Sequence, residues 1–284
     1  DGAMDTGYTV ELWMGPAASN IDTAANETTG DGVELMQANI DLRISGIDLK
    51  IGQFGTVVGN EVYNYNENAH YTHSYGFAVE PTHHTGLLAS YTVSDGLNIA
   101  VGLANTTTSE LNGNSNGNGS SKTFLASVSY TLPSGTGPLS GTELYYVLVS
   151  GNSTGNGGEN DEYHYASITL PELIANLSIQ VVWDHVEYGN QVADSNVAGL
   201  YLGYSLNDDT TINVRYEVGN INSTALLGSW ADNADGLQSL TIGVNHKIWE
   251  NVISRIEYRN DTKDATGSAD DANSVVALNL IYSF

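Results

Sequence analysis

The chain has 284 residues, 33 acidic and 8 basic, for a formal net charge of −25. That balance excludes nucleic acid as a default partner, because phosphate contacts need Lys and Arg. The absence of Cys excludes a disulfide framework and any Cys-ligated metal site. No apolar run reaches the length of about 18 residues that a transmembrane helix needs. The chain opens at DGAMDTGYTV, already close to a strand, and the expectation is a processed or incompletely represented N-terminus.

Along the chain, helical periodicity is almost missing. A segment of about ten residues alternates apolar and polar, then a turn or polar loop follows. The apolar sets run Tyr8, Val10, Leu12, Met14; then Met36, Ala38, Ile40, Leu42, Ile44; then Leu49, Ile51; then Leu87, Ala89, Tyr91, Val93; then Leu97, Ile99, Val101, Leu103. Phe124–Leu132, Leu144–Leu148, Ala166–Leu170, Leu177–Trp183, Leu200–Leu206, Ile212–Val218, Leu240–Val244, Val252–Tyr258 and Val276–Phe284 complete 14 expected strands. The 17 Tyr and 31 Gly fit such strands and their turns, and Tyr suits a membrane interface, where a ring needs one wet end.

One apolar and one polar face over so many strands has two solutions, a sandwich or a membrane barrel with a wet lumen. Connection lengths separate them. Ser45–Asp48, Ser94–Gly96, Asn207–Asp209 and Trp249–Asn251 are short. They alternate with long polar loops at Gly15–Gly32, Asn105–Ser121, Gly151–Asp161, Glu187–Asn196, Gly219–Gly236 and Asp261–Asn273. Tight periplasmic turns and long external loops make an antiparallel up-and-down all-β transmembrane barrel. Two connections, Pro133–Gly141 and Pro171–Asn176, exceed an ideal turn. The chain ends LNLIYSF, with Phe284, Tyr282, Leu280 and Leu278 stepping by twos, and this resembles the terminal strand that outer-membrane barrels present to their assembly machinery.

Residues 59–84 hold 26 positions with little alternation, although Ser74–Val79 reads as a short strand. Structureless segments of this length are usually functional or disordered. This one carries Glu61, Tyr63, Tyr65, Glu67, His70, Tyr71 and Tyr75, and so is built to pack. It is expected to fold inward and constrict a pore. The pair His83-His84, with His70 and His73, raises a metal site, but adjacent residues on extended chain point opposite ways and chelate poorly. They are expected to be packed or hydrogen-bonded, with no metal. No nucleophile, base and orienting acid stand at a recognisable spacing, so no enzyme is expected.

Arg43, Lys50, Arg215, Lys247, Arg255 and Arg259 take the polar parity of their strands, with Glu11, Asp41, Asp48, Asp184, Glu217 and Glu257. They are expected to line the pore, because a basic residue on the lipid face costs about 2–4 kcal/mol near the midplane. They form either a wall of structural ion pairs or a transverse field. Surplus acid falls on external loops: Asp22, Glu27, Asp31, Glu159, Asp161, Glu162, Asp194, Asp232, Asp235, Asp264, Asp270 and Asp271. These confer solubility or bind calcium loosely as a bridge to lipopolysaccharide. No cofactor is required.

Residues 48–106 carry Gly52-x-Phe54-x-Thr56, Gly59-x-Glu61, Asn68, Ser74-Tyr75, Pro81 and His84-Thr85-Gly86, closing on NIAVGLAN. This long spacing resembles the Putative β-barrel porin-2 family, with Asn60 departing from the aromatic residue expected there. The resemblance implies an outer-membrane porin that passes small hydrophilic solutes, and a homotrimer. It also implies sequence before Asp5, whose hairpin would raise the barrel to 16 strands. The acidic mouth suggests mild cation preference. A barrel plugged by its loops, serving as a surface scaffold for partner proteins or lipopolysaccharide, is the alternative.

Overall fold

The computed structural model describes residues 5–15, 18, 32–107, 122–152, 160–189, 194–221, 234–265 and 271–284. Fourteen strands form one sheet in chain order, each antiparallel to the next. They are β1 (Asp5–Met14), β2 (Val33–Ile44), β3 (Ile47–Gly55), β4 (His83–Ser94), β5 (Leu97–Ala104), β6 (Thr123–Thr131) and β7 (Glu143–Asn152). The remainder are β8 (Asn160–Thr169), β9 (Leu177–Glu187), β10 (Ser195–Asn207), β11 (Thr210–Asn220), β12 (Ala234–Trp249), β13 (Val252–Ala265) and β14 (Asp271–Tyr282). One short α-helix, α1 (Tyr75–Val79), and a 3-10 turn at Gly137–Leu139 are described. Among the described residues no pairing joins β1 to β14. No described helix is long and apolar enough to cross a membrane; the crossing is made by strands.

Register carries the alternation from strand to strand. Leu200 faces Tyr216, Leu202 faces Val214 and Tyr204 faces Ile212, so one face is apolar. The intervening pairs Gly199–Glu217, Tyr201–Arg215 and Gly203–Asn213 put the polar set on the other. A one-residue slip would exchange the two faces, so lipid on one side and water on the other hold the register. The apolar face stays exposed as a lipid surface. Trp183 and Tyr216 lie on it toward the long connections, Tyr146 and Tyr258 nearer mid-strand, and Tyr91, Tyr130, Tyr204 and Tyr282 toward the short connections. The aromatics toward each end form belts that mark the two membrane interfaces.

The tight turns follow turn chemistry. Ser45 and Gly46, at φ 51° and 84°, close the β2–β3 hairpin with the doubly left-handed geometry that matches strand twist. The register shifts in the β1–β2, β4–β5, β10–β11 and β12–β13 pairs. The β1–β2 register shifts after Glu11, where Leu12 faces Leu35 and Met36 becomes the extra residue of a bulge. Met36 is therefore fully buried rather than lipid-facing. The strands also run further outward than the pattern suggests. Asp161 and Glu162 lie in β8, Asp264 in β13, Asp235 in β12 and Asp271 in β14 rather than in loops. Asp194 directly precedes β10, while Asp22, Glu27, Asp31, Glu159, Asp232 and Asp270 lie outside the described residues.

Candidate functional site

Residues 56–82 join β3 to β4, so His83 and His84 belong to β4 rather than to the loop. The segment does not stay beside those strands. Its contacts reach β1, β7 and β10–β13, so the sheet curls around it and its course crosses the concave face.

Charge holds the far end. Arg215 of β11 donates to Glu61 Oε1 at 2.6 Å, and its Nε lies 3.1 Å from Glu217 Oε2. It also donates to the Thr72 carbonyl at 2.8 Å and the His73 carbonyl at 3.2 Å. Arg255 donates to the carbonyls of Tyr65, Asn68 and His70. Arg259 donates to the His73 carbonyl, is held by Asp261, and sits 5.0 Å from the centre of the Tyr75 ring. The wall's carboxylates take the segment's N–H groups. Glu257 accepts from Tyr71 at 2.7 Å and from Thr72 at 3.0 Å, and Glu217 accepts from Tyr75 at 2.6 Å. Backbone away from water must find such partners.

The middle is anchored by apolar packing. Val58, Tyr75 and Val79 join Phe54, Leu125, Val147, Val149, Tyr165, Val182 and Val197 in one buried cluster. The strand members make an apolar patch on the inner wall, which the expected polar parity missed. Its signal is the run Leu144–Val149, apolar on both parities. Tyr145 also donates to the Val57 carbonyl at 2.7 Å. Toward β1, Tyr63 donates to Glu11 at 2.9 Å and packs at a tilt against Trp13.

Residues 75–79 form α1 rather than a strand. Ser74 accepts from the Phe77 N–H, capping the first turn, and its own N–H donates to Glu61 at 2.7 Å. Glu80 follows, its carboxyl against the backbone of Gly59 and beside Asp184. Gly59 has φ +97°, and a Cβ there would lie 2.0 Å from Glu80 Oε2, so only glycine fits. Burial and the neighbouring Asp184 push the Glu80 carboxyl well above its ordinary range. Burial holds the His70 and His73 rings below theirs. His70 Nδ1 is 3.3 Å from Glu257 but lacks hydrogen-bond geometry.

The anticipated pore residues separate into two groups. Arg215, Glu217, Arg255, Glu257 and Arg259 face inward but are buried beneath the segment, with Arg215 at 0% and Arg259 at 8% exposure. They anchor protein instead of facing water. Arg43 stays exposed in an ion pair with Asp48, Lys50 is half-buried in one with Asp41, and Lys247 is exposed near the short turns. Among the segment's residues, Glu61, Tyr63 and His70 are buried, while Tyr65 and Glu67 are exposed. His84 bonds to Thr56 at 2.9 Å and His83 packs on Tyr63 at 4.3 Å. Among the described residues no group of three His, Asp or Glu could hold a metal ion. Thr72 was not singled out from the sequence; its hydroxyl donates to Glu257 and its carbonyl accepts from Arg215, roles that no spacing announces.

Comparison with known proteins follows this geometry. An anion-selective porin from Comamonas acidovorans is 9% identical, with TM-score 0.65 over 99% of this chain and 85% of that one. The channel DcaP of Acinetobacter baumannii is 11% identical, with TM-score 0.63 over 100% of this chain and 82% of that one. OprD from Pseudomonas aeruginosa is 14% identical, with TM-score 0.52 over 89% of this chain and 68% of that one. At such identity these likenesses show the fold. Among curated proteins none matches this chain. The family model described as Putative beta-barrel porin-2, OmpL-like matches residues 2–284. The chain belongs to that family and is a porin-type β-barrel of the bacterial outer membrane.

Proposed function

We propose that the protein is a passive channel for small hydrophilic solutes and ions, narrowed by residues 56–82 and mildly cation-preferring. The observation that carries this is the bonding of one long segment to Arg215 and Arg255, on strands far around the wall from its own ends. A barrel of 14 strands or more leaves an aqueous channel unless something enters it. The cation preference is supported by charge. Arg215, Arg255 and Arg259 are sequestered beneath the segment, while Glu67 and Glu11 keep partial contact with the lumen. Deleting residues 65–70 should raise single-channel conductance and the solute size limit in a correctly folded barrel. Unchanged values would place the narrowest point elsewhere.

A homotrimer is part of the proposal. OmpT of Vibrio cholerae, 12% identical with TM-score 0.54, is described in a trimer form. Native mass in mild detergent and in lipid tests this, and monomer alone in both would refute it.

A second reading, a plugged barrel serving as a surface scaffold, draws on the same burial: a segment that covers five charged residues could close the lumen. Above the aromatic belt, Glu162 and Glu187 lie opposite each other, and so do His164 and His185. These polar groups at headgroup level would suit lipopolysaccharide contact. Conductance in planar bilayers separates channel from plug.

A further inference from the structure

Between the inner segment and the wall of β8–β11 lies a cavity of about 270 Å³, on the side of the short turns. Asn213, one of its liners, is 6% exposed, yet its Nδ2 has no hydrogen-bond partner. Buried polar groups are nearly always paired, so an orphaned donor facing a cavity calls for an acceptor. Opposite Asn213 in the register stands Gly203. A Cβ at Gly203 would lie 2.6 Å from Ser178 Oγ and 3.4 Å from Asn213 Oδ1, so glycine there keeps the space open.

We propose that this cavity is a binding station for a neutral, hydroxyl-rich solute of monosaccharide size, with Asn213 donating to one of its oxygens. The inference rests on the channel reading and names the solute class the channel handles best. Thr169, Ser178 and Gln180 add hydroxyl and amide groups to the lining, and Tyr201 adds an aromatic ring. Each hydroxyl or amide can both donate and accept, as a sugar hydroxyl can. A pocket with apolar surface and a few convergent polar groups fits small-molecule recognition.

Charge narrows the class. No Lys or Arg lines the cavity, and its carboxylates are Glu61 and Glu67. Glu61 is already occupied by Arg215, the Ser74 N–H and the Tyr201 hydroxyl. An anion would therefore meet carboxylate oxygen with no compensating cation. A cation would find only Glu67, which is exposed on the rim. The neutral polyol uses the orphaned donor and needs no charge partner.

Equilibrium titration of the detergent-folded protein with glucose, followed by ligand-observed nuclear magnetic resonance, decides the matter. Saturable binding is expected, with a half-saturating concentration raised tenfold or more by Asn213→Leu and also by Gly203→Ala, which keeps Asn213 and fills the space. Glu143→Gln, which does not line the cavity, should leave it unchanged. Absence of saturable binding, or binding indifferent to both cavity variants, overturns the inference. So does a loss on Glu67→Gln with preferential uptake of an amine such as ethanolamine. Sugar-free conductance measured on the same preparation tests the channel reading separately. A conducting barrel that binds no glucose overturns the station alone, and a non-conducting one that binds glucose overturns the channel alone.

Discussion

Arg215 and Glu61 meet at 2.6 Å, 154 residues apart in sequence, with both side chains almost wholly withdrawn from solvent. One belongs to the wall and the other to the segment between β3 and β4. Neither charge is tolerable where it sits without the other, because a buried ion left unpaired costs several kcal/mol.

Replacing Arg215 with Ala leaves Glu61 and Glu217 facing each other without their guanidinium. The expected loss is about 3–5 kcal/mol of loop packing, the usual result of breaking one side of a buried pair. The barrel should still assemble, since its strand pairing is untouched. Single-channel conductance should at least double and become noisier. A folded variant with unchanged conductance would show that the pair does not hold the narrowing in place.

Glu80 gives the packed segment a pH dependence of defined sign. Its carboxyl is raised by burial and by Asp184, with Glu61 and Glu217 adding negative charge. Its contribution is full below the ordinary value of 4.5 and fades as pH rises through the raised value. Conductance noise should therefore grow as pH rises above the ordinary carboxylate range and through the raised value. Glu80→Gln, neutral at every pH, should flatten that rise. If the variant and the parent respond alike, Glu80 is not the group responsible.

The lipid face predicts an asymmetry between neighbours on one strand. Leu202 faces lipid near the middle of β10, and Ser205 takes the inner parity. Leu202→Arg should cost about 2–4 kcal/mol in bilayer folding equilibria, and Ser205→Arg well under half of that. Equal costs would mean the register is shifted by one residue.

Selectivity should depend on salt. The chain's net charge of −25 concentrates cations at the mouth. Reversal potentials should report mild cation preference at low salt that declines as screening shortens to a few ångströms near 1 M. Anion preference at low salt would refute the proposed sign.

The strands were legible because their cause is local. A lipid face and a wet face force period-two alternation, and each strand writes it independently. Inward parity for Arg215, Arg255 and Glu257 followed from the same rule. What parity could not reveal is which inward charges lie under a covering segment and which stay wet. That depends on where residues 56–82 travel, and contacts such as Arg255 with the Asn68 carbonyl span 187 residues. The five-residue α1 escaped because it is too short to display a helical period. Met36 escaped because one bulged residue reverses the parity of everything beyond it.

The sequence by itself determined the membrane-spanning sheet, its strand order, its apolar face and the existence of one long, aromatic, packing-competent segment. Solvent and lipid act on each strand alone, so a pattern suffices. Only the tertiary structure decided where that segment docks. It does so through the apolar patch of Leu125, Val147, Val149 and Val182 and through three arginines. Curvature of the sheet brings these groups together, and buried charge and buried apolar surface are satisfied only once it is in place.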